Sequence, residues 1–220
     1  MTDFQPIQLI PPSAPAPARR EPDAGLDIED RARADLYGLL ATLFFQAPDA
    51  ALLHHIAANR ATGDDAGTVL GQAWNALCDA ASIITAEEAA DEYARLFVGV
   101  GKQEIFLYGS YYLAGFLNER PLVALRDDLA RYGLMRHEGI SETEDHIATL
   151  CEVMRFLVAG EDVTVCNLGE QQRFFARHMQ PWMERLCETI AAHPQARFYR
   201  SAADLLRAFT GVEAVALEMN

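Results

Sequence analysis

Ser141-Glu-Thr-Glu-Asp-His146 runs directly into Ile147-Ala-Thr-Leu-Cys-Glu-Val-Met-Arg-Phe-Leu-Val158, and the reading of the fold turns on this stretch. Its second half has a helical period. Ile147, Leu150, Cys151, Met154, Leu157 and Val158 recur at i, i+3, i+4 and i+7, which lines one face with apolar side chains. Its first half reads as the start of that helix. Ser141 suits the N-cap, Glu144 completes a capping box three residues on, and the acids suit the positive end of the helix dipole. His146 is left over. Four residues after Glu142, it puts an imidazole and a carboxylate on one lane beside the apolar stripe. Such a cluster could receive a cationic partner or carry acid–base chemistry, but a plain His146–Glu142 pair at a solvated cap explains it more economically.

The rest of the chain extends this helical reading. Half of the 220 residues are apolar, enough for one sizeable core or a tight pair of lobes. Thirty-two acidic residues against 18 basic ones leave a net charge of −14, which argues against nucleic acid and for solubility. No apolar run is long enough to span a membrane. Pro6, Pro11, Pro12, Pro15, Pro17 and Pro22 crowd the first 24 residues, so 1–24 is expected to be a disordered arm ahead of an all-helical domain over 25–220. Arg19-Arg20 is no export signal, because Glu21-Pro22-Asp23 follows where an apolar region is required. A cytoplasmic location is expected. Cys78, Cys151, Cys166 and Cys187 have neither disulfide nor zinc spacing and read as buried thiols.

Apolar stripes predict helices through Leu36–Leu43, over 50–58, and through Leu70, Trp74, Leu77 and Cys78. Thr85-Ala-Glu-Glu88 is a second capping box and opens a helix through Tyr93 and Phe97, ended by Gly99 and Gly101. Lys102–Tyr108 has no helical period and reads as an extended loop with no second strand to pair with. Helices follow through Tyr111–Phe116, over 121–132, and around Phe174–Met179. A further one runs from Pro181 to His193, and a last one from Ser201 to Gly211. The class is all-α, a single multi-helix domain. The aromatic residues Phe97, Phe106, Tyr108, Tyr111, Tyr112 and Phe116 are most simply core, and are also what the wall of an apolar peptide groove would look like. There is no G-x-x-x-x-G-K-[ST], H-E-x-x-H or G-x-S-x-G.

Three stretches in order carry a resemblance. They are Asp91-Glu-Tyr-Ala-Arg-Leu-Phe-Val-Gly-Val-Gly101, Tyr108-Gly-Ser-Tyr-Tyr-Leu113 and Glu142-Thr-Glu-Asp-His146, with Gln180-Pro-Trp182, His193-Pro194 and Phe198-Tyr-Arg200 further on. The chain resembles the TorD/DmsD family of redox-enzyme maturation chaperones over roughly Thr85–Phe209. The resemblance implies an all-helical cytoplasmic chaperone, without cofactor or metal, that is not an enzyme. Its partner would be the precursor of an exported molybdopterin-containing oxidoreductase. It would bind the twin-arginine signal peptide, and often the body, and delay export until the cofactor is inserted. The family's Glu-Pro-x-Asp-His motif falls on Glu142, Asp145 and His146, with Thr143 in place of the proline.

Together with Trp74, Tyr93, Phe97, Tyr108 and Tyr112 these three are the candidate client-binding residues. Carboxylates suit the peptide's guanidiniums and an aromatic groove suits its apolar region. The resemblance also implies a monomer or a domain-swapped dimer, with a possible hinge near 133–141. A helical adaptor for folded partners and, more remotely, a metal-dependent hydrolase using Glu142, Asp145 and His146 are the competing readings.

Overall fold

The computed structural model describes residues 6–9, 26–99, 103–117 and 120–219. Among the described residues the fold is all-α apart from one short ribbon. In order its elements are β1 (Ile7–Leu9), α1 (Ile28–Phe45), α2 (Ala50–Ala58), a 3-10 turn (Gly63–Gly67), α3 (Val69–Ile83) and α4 (Ala86–Tyr93). There follow α5 (Gly109–Ala114), α6 (Arg120–Arg131), β2 (Leu134–Arg136), α7 (Ile147–Ala159), α8 (Leu168–Phe174), α9 (Gln180–Ala192) and α10 (Phe198–Glu218). α4 and α8 each run on into one wider π-type turn, Ala94–Val98 and Phe175–Met179. The chain divides into two compact units, one of Met1–Ala41, Tyr108–Pro181 and Leu217–Asn220, the other of Thr42–Leu107 and Trp182–Ala216.

The first unit is built on α7. The apolar stripe read from the sequence understates its burial, because Thr149, Val153 and Ala148 on other faces are buried too. Gln171 of α8 ties neighbours to it, its amide donating to Leu157 O at 3.2 Å and its Oε1 accepting from Arg33 of α1 at 2.9 Å. The second unit is centred on Phe44, Tyr93, Phe97 and Tyr199, whose rings meet edge-on or tilted, with Phe97 and Tyr199 at 5.0 Å between centroids. Two phenols close the end of α1 there. Tyr93 donates to Phe45 O at 2.6 Å and Tyr199 to Leu43 O at 3.1 Å, which satisfies carbonyls a helix end leaves open.

Several expectations need correction. The capping box at Ser141 and Glu144 does not form. α7 begins at Ile147 with His146 as N-cap, its Nδ1 accepting Ala148 N–H at 3.2 Å. Arg126 takes Glu144 instead, through Nε at 3.1 Å and Nη2 at 2.9 Å, and Ser141 Oγ turns to Glu142. The equivalent box at Thr85 and Glu88 is present as read. Pro6–Leu9, inside the arm expected to be disordered, are not without structure. Ile7-Gln-Leu9 is a proline-free run, and it pairs antiparallel with Leu134–Arg136. The remaining residues of 1–24 lie outside the described residues, as does Gly101.

The helix around Tyr111 stops at Ala114, because Gly115 adopts φ +82°. α10 starts three residues before Ser201 and runs straight through Gly211, since Glu213 and Leu217 carry the buried stripe of Phe209 onward. All four cysteines are buried and free.

Candidate functional site

The 142–146 segment lies in the first unit as a turn, not a helical end. His146 N–H donates to Thr143 O at 3.0 Å, and a lone antiparallel bridge pairs His146 with Tyr108. That bridge is the partner the extended reading of Tyr108 lacked. Asp145 locks the two strands of chain together. Its carbonyl accepts Gly109 N–H at 2.9 Å, its Oδ2 accepts Ser110 N–H at 2.8 Å, and its Oδ1 accepts the Thr143 hydroxyl at 2.6 Å. A carboxylate holding two donors in a buried place is an anchor of the backbone.

Asp145 and His146 are therefore not on an exposed rim, being 3% and 4% exposed, whereas Glu142 is half-buried. Burial holds the His146 imidazole down to about 4, against the opposing pull of the Glu142 and Asp145 carboxylates. The ring is neutral, and Tyr108 packs edge-on to it at 5.0 Å. Burial, seconded by the same two carboxylates, pushes the Tyr108 phenol up to about 12. With its Nδ1 lone pair taken by the Ala148 N–H and its basicity lowered by burial, this imidazole is poorly suited to act as a general base.

Beside this segment is a recess of about 190 Å³, walled by Leu113, Ala124 and Leu125 with Ser110, Asp145 and Arg177 among its polar residues. Ser110 Oγ is buried without a hydrogen bond. Near it stands a charge node that the sequence did not disclose. Asp128, 3% exposed, receives Arg177 at 2.9 Å, Arg131 at 3.3 Å, Arg173 at 3.5 Å and His178 at 2.7 Å. Burial lowers the His178 pKa while Asp128 opposes it. Arg131 is a local i,i+3 partner, but Arg173 and His178, 45 and 50 residues away, leave no local pattern to read.

The second unit holds the larger opening, a groove of about 720 Å³ formed by α3, α4 and the start of α10. Ala76, Ala80, Ile83, Ile84, Pro194 and Phe198 give it apolar walls. Asp79, Glu88, Asp91 and Glu92 outnumber Arg95 and Arg197 among its charged residues. Ile83 is 84% exposed. Glu92 is buried at the base of the groove and caps α10 across space, its Oε1 accepting Arg197 N–H at 2.8 Å and Tyr199 N–H at 2.9 Å. Its Oε2 takes Phe198 N–H at 3.2 Å.

The eight candidate residues are thus divided. Glu142, Asp145, His146, Tyr108 and Tyr112 belong to the first unit, and Trp74, Tyr93 and Phe97 to the second. In the second unit Phe97 is core, Tyr93 closes α1, and Trp74 on α3 donates its indole N–H to Asn59 O. None of these three lines the groove; the helices that carry them do. Among the described residues there is no group of three or more His, Cys, Asp or Glu able to hold a metal, and no helix long and apolar enough to cross a membrane.

Comparisons with known proteins match this architecture. The family model described as nitrate reductase delta subunit matches residues 64–188. A chaperone protein TorD from Vibrio atlanticus (strain LGP32) is 25% identical over 197 residues, covering 80% of this chain and 90% of that protein. The TorD chaperone of Aliivibrio fischeri (strain ATCC 700601 / ES114) is 25% identical over 153 residues, covering 64% of this chain and 71% of that one. Among solved structures, a redox enzyme maturation protein from Archaeoglobus fulgidus shares the fold with a TM-score of 0.53 at 18% identity, over 82% of this chain and 93% of that one. With the family model spanning more than half of the chain, this protein belongs to the nitrate reductase delta subunit family, that of the TorD-type redox-enzyme maturation chaperones, and is not an enzyme.

Proposed function

We propose that this chain is a cytoplasmic chaperone for the precursor of an exported molybdenum oxidoreductase. In this reading it binds the precursor's twin-arginine signal peptide and holds the client back while its molybdopterin cofactor is inserted. The observation that carries the reading is the groove of about 720 Å³ between α3, α4 and α10, which joins apolar walls to an excess of carboxylates. A signal peptide has the matching chemistry, two guanidiniums followed by an apolar helix. Arginine bonds carboxylates through its planar fork, and an apolar helix face suits a groove of this kind. The net charge of −14 speeds the encounter with a basic peptide.

Trp74, Tyr93 and Phe97 then act through the packing of α3 and α4. Glu142 is the accessible acid of the motif, Asp145 lines the smaller recess, and His146, Tyr108 and Tyr112 act through packing. The chain works as a monomer, with a minor dimer that exchanges elements about the 133–141 link.

The test is titration calorimetry of a twin-arginine peptide against the wild type and Ile83→Asp. Placing a carboxylate among the apolar walls should weaken binding about ten-fold, equivalent to about 1.4 kcal/mol. The melting temperature should hold, since the Ile83 side chain is exposed. Equal affinity for the two proteins would move the peptide away from this groove.

A further inference from the structure

β1 is lightly held. Its register sets Ile7 against Arg136, Gln8 against Met135 and Leu9 against Leu134, and His137 N–H donates to Pro6 O at 2.9 Å. Pro6 is buried, while Ile7 and Gln8 are half-buried. A two-stranded ribbon of three residues a side is marginal, and such contacts open at the low end of a protein's stability range. β2 is differently placed. Buried Tyr132 and Leu134 root it after α6, and the Arg136 guanidinium ties the following turn to Ile140 O. When β1 leaves, β2 therefore stays, and its edge shows unpaired backbone donors and acceptors to any extended chain.

We propose that the β2 edge is a peptide-docking edge and that β1 is its resident competitor. The ligand is an extended segment of a client not yet folded, with the Pro–apolar–polar–apolar character of Pro6-Ile-Gln-Leu9. The resident itself shows what the edge accepts. Backbone hydrogen bonds supply the affinity with little regard to sequence, and the site that buries Pro6 supplies the selection. Residues 10–27 tether β1 to α1, so the released arm stays nearby and competes intramolecularly. The identity of the ligand as a client rests on the chaperone reading above, whereas the edge does not.

The experiment uses the full-length chain and a Gln8→Pro variant, which strips a backbone donor from β1 and leaves β2 untouched. The probe is a fluorescent synthetic peptide of residues 5–10 of this chain, followed by anisotropy. If the open edge is populated at about a tenth or less in the wild type, the variant should bind the probe about ten-fold or more tightly. Equal affinity for both proteins, or no saturable binding to either, would overturn the docking edge. An unlabelled N-terminal fragment of a molybdoenzyme precursor should displace the probe from the variant. Tight probe binding with no displacement would overturn the client as ligand, independently of whether the signal peptide binds the α3–α4–α10 groove.

Discussion

Glu92→Ala is expected to remove about 3 kcal/mol or more of stability. The Glu92 carboxylate accepts three consecutive backbone N–H groups at the start of α10, from Arg197, Phe198 and Tyr199. It is 3% exposed, so alanine would leave these donors without water to replace the lost acceptor. Each buried donor left unsatisfied costs about 1–3 kcal/mol, and the lost charge at the positive end of a long helix adds to that. Glu92→Gln should cost less, because one amide oxygen can keep the two bonds that Oε1 now accepts. Urea titration of both variants checks this, and an alanine variant within about 1 kcal/mol of the wild type would show that α10 does not depend on its cap.

Acid should destabilise the protein through His146, beginning above the range in which carboxylates titrate. The folded imidazole is held down to about 4, while an unfolded histidine titrates near 6.5. Between these values the unfolded chain binds the proton and the folded chain does not. The contribution is therefore fully present above about pH 6.5 and is lost as the pH falls through about 4. The difference corresponds to about 3 kcal/mol at most. His178, whose pKa burial also lowers, adds a loss of the same sign. His146→Asn keeps a side chain able to cap α7 and removes the titration, so its stability should fall less between pH 7 and pH 4.5. Parallel curves for variant and wild type would mean that the imidazole is protonated without penalty.

The places where the sequence misled share one cause. Thr85 and Ser141 offer the same capping-box pattern, yet only Thr85 uses it. At Thr85 the local pair keeps Glu88, whereas Arg126 claims Glu144 and Ser110 claims Asp145, from 18 and 35 residues away. Local pattern fails where longer-range hydrogen bonds offer more. Glu92 looked like one more acid on an amphipathic helix because its partners lie 105–107 residues off.

The helices themselves were legible, since the period of their apolar residues is a local property, and the stripe read in Ile147–Val158 is buried along its whole length. The motif residues 142–146 were identifiable as special, but their burial was not. A short run of acids reads as solvated until the fold supplies the donors that bury it. The groove was invisible for a related reason: Ile83, Asp91 and Pro194 come from three segments, and no spacing connects them.

The most direct test of the chaperone reading is calorimetric titration of the full-length protein with the twin-arginine signal peptide of an exported molybdenum oxidoreductase from the same organism. The expected result is saturable one-to-one binding that weakens about ten-fold or more when both arginines become lysine, because an ammonium cannot reproduce the guanidinium's two-pronged contact with a carboxylate. No binding of the arginine peptide, or the same affinity for its lysine counterpart, would contradict it.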